Sequence, residues 1–392
     1  MSDPTRSAPV EANARELLAW LRDRTPAMTE LLERLALAES PSDDVPSQQV
    51  SFAILDELLT GLGFGTERIP GRERGDLLLA RRPGRGPGRQ LLLGHLDTVW
   101  PLGTLERMPV ERRDGALFGP GVFDMKGGLV QMVFALSALG GHGIEPACET
   151  VVLINSDEEL SSPESREHIL SLAAEADRVY VMEPSAGSNG DLKTARKGVG
   201  RFTVTVKGVA SHAGLAPEAG RSAILEASHQ IQSLFALNDP ANGVTVNVGT
   251  IDGGLRPNVI APEVVAQVEA RVVTAEDAAR VEAHIRGLEP VTEGVSLEID
   301  GDFRRPPLER TARNRVLWEQ ALEAASALGI EIGEALVGGA SDGNLASTHT
   351  ATLDGLGAVG DGAHADHEHV IVDRMPERAA LLALLLAAEV RE

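Results

Sequence analysis

The sequence predicts a layered α/β protein with a smaller ferredoxin-like α+β domain inserted into it. Two observations carry this. Short apolar runs at residues 91–93, 151–154 and 179–182 alternate with helical patterns at 129–139 and 169–176, as buried parallel strands alternate with crossover helices. After about Arg196 the pattern changes to strands that alternate apolar and polar residues, and the α/β character returns beyond Arg305-Pro306-Pro307.

In chain order, Leu17, Leu18, Trp20 and Leu21 mark one amphipathic helix, and Leu31, Leu32, Leu35 and Leu37 a second. Ser40-Pro41-Ser42-Asp43-Asp44 has turn chemistry. Phe52, Leu55, Leu58 and Leu59 mark a third helix, closed by Gly61 and Gly63, and residues 81–90 form a Gly/Pro/Arg turn between strands. In the inserted region, strands are expected at 201–206, 244–248 and 264–272, with helices at 220–237 and 276–286, ending near Asp302. That β-α-β-β-α-β order is ferredoxin-like. The predicted division is a first catalytic segment over 1–195, the inserted domain over 196–303 and a second catalytic segment over 304–392.

Composition removes several function classes. A chain of 392 residues is long enough for two or three domains. Its net charge of −22 argues against nucleic-acid or anionic-membrane partners, which need clustered Lys and Arg. Aromatics make up 3%, too few for a stacking platform, while 43% hydrophobic residues suffice for a core. The lone Cys148 excludes an intrachain disulfide and is expected to be a buried small side chain. The first residues lack a basic start followed by an apolar run, and the longest apolar stretch, 379–388, is too short to span a bilayer. A cytoplasmic protein with no membrane association is expected.

The chemistry lies where the apolar strands end. Residues 91–93 lead into Gly94-His95-Leu96-Asp97, 151–154 into Asp157-Glu158-Glu159, and 179–182 into Glu183-Pro184. A fourth cluster, Gly119-Pro120-Gly121-Val122-Phe123-Asp124-Met125-Lys126-Gly127-Gly128, precedes a helix. Ligands of open α/β sheets bind outside the carboxyl ends of strands. Carboxylates gathered there repel one another unless a cation joins them. Histidine mixed with carboxylates suits one or two zinc ions.

With the late His364-Ala365-Asp366-His367-Glu368 added, these segments resemble the dinuclear zinc exopeptidase and deacylase family. That family includes glutamate carboxypeptidase, acetylornithine deacetylase, succinyl-diaminopimelate desuccinylase and aminoacylase. The resemblance spans nearly the whole chain and is strongest to the glutamate carboxypeptidase branch. It implies a mixed sheet flanked by helices, with the inserted domain serving as lid and dimerisation module. It implies two Zn²⁺ per chain, with Co²⁺ or Mn²⁺ as substitutes. Asp124 would bridge the ions, His95 and Glu183 would complete one, and Glu159 and His364 the other. Glu158 would be the general acid/base, and Asp97 would accept the second imidazole N–H of His95. His367 and His369 stand close enough to compete with His364, which the family pattern favours.

The inserted domain resembles the family's lid at Ala210-Ser211-His212-Ala213-Gly214. His212 would reach the scissile carbonyl, in the opposite subunit of a homodimer. Asn258 and Arg271 would hold the substrate carboxylate, Arg305 would reach a side-chain carboxylate, and Asp342 would support the loop after Gly338-Gly339. One departure stands out: Glu159 is followed by Leu160-Ser161-Ser162, where family members often carry Gly-Ser. The function implied is hydrolysis of an amide next to a free carboxylate, in a small peptide or an N-acyl amino acid, by a zinc-activated water. An N-acyl-amino-acid deacylase is the alternative enzyme. A catalytically inactive metal-bound binding protein is disfavoured by the intact Glu158, and a nucleotide loop at Gly119-Pro120-Gly121 lacks the Gly-x-Gly-x-x-Gly spacing.

Overall fold

The three apolar runs become adjacent parallel strands in a computed structural model that describes residues 4–391. Arg89–His95 lies between Glu149–Asn155 and Arg178–Val181, parallel to both. Leu92 contributes to the core on one face of the sheet, Leu91 and Leu93 to that on the other, as expected of a strand buried on both sides. Leu77–Arg82 and Gly65–Ile69 extend the sheet antiparallel on one side, and Ala351–Leu353 extends it parallel on the other. The result is a six-stranded mixed sheet. Register places His95 beside Asn155 and Leu93 beside Val181, so these three strands end at one edge.

The helix Gly127–Gly141 is buried on most of its circumference, and it packs on the C-terminal helix Met375–Ala387. Gly128 is required there: a Cβ would lie 2.0 Å from the carbonyl oxygen of Met182, one residue before Glu183. The sequence reading placed the longest apolar stretch at 379–388. Among the described residues, one helical stretch, Val122–Gly141, is long and apolar enough to cross a membrane, and 83% of its apolar window is buried inside the protein. Isolated polar residues such as Lys126 and Gln131 break the run, yet the stretch as a whole stays apolar.

The chain divides into two compact units. The first contains the described residues up to Thr194, Arg310–Val337, and those from Ser341 onward; the second contains Ala195–Glu309 and Gly338–Ala340. Within the second, Gly198–Lys207, Thr245–Gly253, Glu263–Val272 and Ser296–Arg305 form an antiparallel sheet. Helices Ala223–Phe235 and Ala275–Arg286 share its core, giving the expected β-α-β-β-α-β order. Both helices are capped by side chains, Ser222 on Leu225 N and Thr274 on Asp277 N.

Tyr180, the sequence's single tyrosine, is fully buried in the strand Arg178–Val181, and burial pushes its pKa up to about 12. A phenol with a raised folded-state pKa favours the folded protein fully below its unfolded value near 10 and loses that contribution as pH rises towards about 12. Stability is therefore expected to fall across that window by up to roughly 3 kcal/mol. Tyrosinate absorbance should appear together with unfolding, and Tyr180→Phe should remove this part of the alkaline loss. Tyrosinate formation near pH 10 in the folded protein would refute the assignment.

Candidate active site

The shared strand edge gathers the predicted residues of the first unit. His95 is the last residue of its strand and is 1% exposed. Its Nε2 lies 3.4 Å from Asp124 Oδ1 and 3.5 Å from Glu183 Oε1. The other oxygen of Asp124, Oδ2, lies 3.7 Å from His364 Nε2, and that nitrogen is 3.2 Å from Glu159 Oε2. Asp124 thus presents one oxygen to each of two imidazoles. Glu158 offers an oxygen within 4.8 Å of ligand atoms on His95 and Glu183. Of the three late histidines, His369 is turned away, stacked on Phe118 at 4.9 Å between ring centroids.

The ring of His95 is held from behind by Asp97. Its Nδ1 lies 3.0 Å from the main-chain oxygen of Asp97 and 3.3 Å from Oδ1, so the ring N–H faces both carbonyl and carboxylate. A proton on Nδ1 leaves Nε2 as the lone-pair donor. Asp97 also accepts the backbone N–H groups of Glu158 at 3.3 Å and Glu159 at 3.2 Å, and the hydroxyl of Ser42 at 2.6 Å. Burial would raise the Asp97 pKa, but these partners, His95 first, hold it below the usual range. Ser42 stands in the segment read from sequence only as a turn. Nothing in the spacing of Ser40-Pro41-Ser42 points 55 residues along the chain.

The turn that carries the paired glutamates is braced from below. Ser161 and Ser162 both adopt left-handed backbone, at φ 72° and 54°, a conformation that glycine enters at least cost. The Ser162 hydroxyl donates to Asp342 Oδ1 at 2.5 Å, and Asn155 Nδ2 donates to Asp342 Oδ2 at 2.6 Å. The Ser162 side-chain bond accompanies this left-handed backbone. Asp342 therefore supports the Glu158–Glu159 turn, in addition to opening its own short helix.

His95 Nε2 and Asp124 Oδ1 are buried and have no hydrogen-bond partner. Burial favours a neutral His95 ring, yet Asp124, Asp97 and Glu183 outweigh it and hold its pKa well above the ordinary value. Burial, aided by Asp124, raises the Glu159 carboxyl, and its hydrogen bond to His364 pushes that imidazole up to about 9. Buried ligand atoms of this kind, with carboxylates gathered around two imidazoles, fit divalent metal. Lys193 Nζ, 3.9 Å from Glu183 Oε2, adds positive charge on the far side of that carboxylate.

The remaining predicted residues lie in the second unit. His212 Nδ1 accepts backbone N–H groups from Gly214 and Leu215, at 3.1 and 3.2 Å, which leaves the proton of the neutral ring on Nε2. Ala213 N donates to the main-chain oxygen of Asn258 at 3.0 Å, so the two motif segments lie side by side. Arg271 is engaged by Glu269 at 2.8 Å and by the carbonyl of Gly338 at 2.7 Å. Arg305 is 4% exposed and sits opposite Val199 in the sheet.

Imidazoles and carboxylates converging at the strand ends of an α/β sheet make a candidate metal centre. The chain belongs to peptidase family M20/M25/M40, whose profile matches residues 91–388. It is similar to carboxypeptidase G2 of Pseudomonas sp. (strain RS-16), 29% identical over 93% of this chain and 89% of that protein. It is also similar to succinyl-diaminopimelate desuccinylase of Delftia acidovorans, 29% identical over 83% of this chain and 89% of that one. In fold it resembles aminopeptidase PepT of Bacillus cereus, with a TM-score of 0.73 at 22% identity, covering 93% of this chain and 98% of that one. The protein is a metallohydrolase of a metal-dependent family.

Proposed function

We propose that the protein hydrolyses an amide next to a free carboxylate, in the manner of a glutamate carboxypeptidase. The observation that carries this is the placement of the two Asp124 oxygens, one towards His95 and the other towards His364. His95, Asp124 and Glu183 would hold one zinc ion, and Asp124, Glu159 and His364 a second. When bound, such ions polarise the scissile carbonyl and acidify water. Glu158 takes the proton of the attacking water and returns it to the leaving amine. Asp97 keeps the His95 ring in one tautomer and holds the backbone of both glutamates. His212, with Nε2–H as donor, serves the oxyanion. Arg271, Asn258 and Arg305 read the carboxylates of the substrate.

The working form is proposed to be a cytoplasmic homodimer built through the second unit. Ile224 and Leu225 are 51% and 52% exposed on that unit's first helix, a face suited to a second copy, and Cys148 is buried and in no disulfide. Leu234 on the same helix instead points into the unit's own core. A deacylase of N-acyl amino acids is the second reading, favoured by equal identity to the desuccinylase. Hydrolysis of a panel of peptides ending in glutamate and of N-acyl amino acids, with and without chelator, decides between them. Peptide turnover that disappears with chelator is expected. Preference for N-acyl amino acids would select the second reading, and full turnover in stripped protein would remove both.

A further inference from the structure

We infer that Glu368 is a positioning residue for the metal centre, a carboxylate clamp that sets where Asp124 stands. This rests on the metal-site reading above and extends it to a residue that reading leaves without a role. Glu368 is 1% exposed, and its side chain is used completely. Oε1 accepts the backbone N–H groups of Phe123 at 2.9 Å and Asp124 at 3.0 Å. Oε2 accepts the backbone N–H of Gly121 at 2.9 Å and the indole N–H of Trp100 at 2.8 Å. All four donors are N–H groups, so an acceptor-only carboxylate satisfies them and a protonated acid does not.

The fold explains why this residue reaches that loop. His369–Ile371 pairs antiparallel with Ala116–Phe118, and His369 lies opposite Phe118. Glu368 immediately precedes the first strand, and the 119–124 loop immediately follows the second. The register therefore brings the carboxylate beneath the loop, and the main-chain oxygen of Glu368 accepts from Gly119 N at 3.2 Å. Gly121 belongs to the same device: its φ is 71°, and a Cβ would meet Thr98 Cγ2 at 2.5 Å. Glu368 also lies four residues after His364, so one short segment holds one imidazole of the site and orients the carboxylate that faces it. A backbone shift at Asp124 would move both of its oxygens at once.

Glu368→Gln tests this, because the amide keeps the shape. Whichever way it turns, its NH₂ faces N–H donors that need an acceptor. Zinc affinity, measured by competition with a chromophoric chelator, is expected to fall by roughly 10–100-fold, and the visible spectrum of the cobalt-loaded protein to change. Glu226→Gln is the control for general destabilisation. Glu226 is a buried carboxylate in the second unit that accepts Val291 and Thr292 N–H, and its variant should bind zinc as wild type. Wild-type zinc affinity and an unchanged cobalt spectrum in Glu368→Gln would overturn the inference. Should that variant fail to fold, Trp100→Phe removes one donor alone; a few-fold weaker zinc affinity is expected, and unchanged affinity would equally overturn the inference. Asp124→Ala separates the two layers: if it binds zinc as wild type, the metal-site reading fails rather than the clamp.

Discussion

Glu158→Gln is expected to bind metal as wild type does and to lose turnover by at least roughly 10²–10⁴-fold, the contribution of a positioned general base. The amide fills the same space, and the main-chain anchor is untouched: the backbone N–H of Glu158 still donates to Asp97 Oδ1 at 3.3 Å. What disappears is the capacity to take a proton. Metal analysis beside kcat makes the result informative in both directions. The Glu158 carboxylate lies within 4.8 Å of the ligand atoms of His95 and Glu183, a spacing that a ligand could share. Retained metal with collapsed kcat identifies a base. Lost metal would make Glu158 a ligand, and a near-normal kcat would move the base role elsewhere.

The parts of this protein legible in the sequence are those with a local signature. Strands 91–93, 151–154 and 179–182 announced themselves as apolar runs, and the residues just past their ends are the ones the sheet brings together. The ferredoxin-like order was equally local, since alternation marks each strand. The supports of the site were not local. Ser42 reaches Asp97 across 55 positions, Asp342 reaches Ser162 across 180, and Glu368 reaches Asp124 across 244. Each is a common residue in a common loop, and only strand register decides what it touches. The antiparallel pair of Leu77–Arg82 with Glu149–Asn155 was hidden for the same reason, because strand direction is a property of the pairing.

The largest loss is expected from Asp124→Ala. In the wild-type arrangement one oxygen of Asp124 is 3.4 Å from His95 Nε2 and the other 3.7 Å from His364 Nε2, so both halves of the site share this one side chain. Its removal should reduce metal content sharply and bring turnover to background. Zinc or cobalt should restore activity to stripped wild-type protein and leave the variant inactive. Thermal unfolding adds an independent reading. A ligand present at about 100 times its Kd stabilises the folded state by about 2.7 kcal/mol, so wild-type Tm should rise on adding zinc and that of the variant should not. In the metal-free proteins the difference should narrow, because Asp124 then holds no ion. A variant that keeps the full metal content, or gains as much Tm from zinc as wild type, would show that Asp124 does not join the two halves.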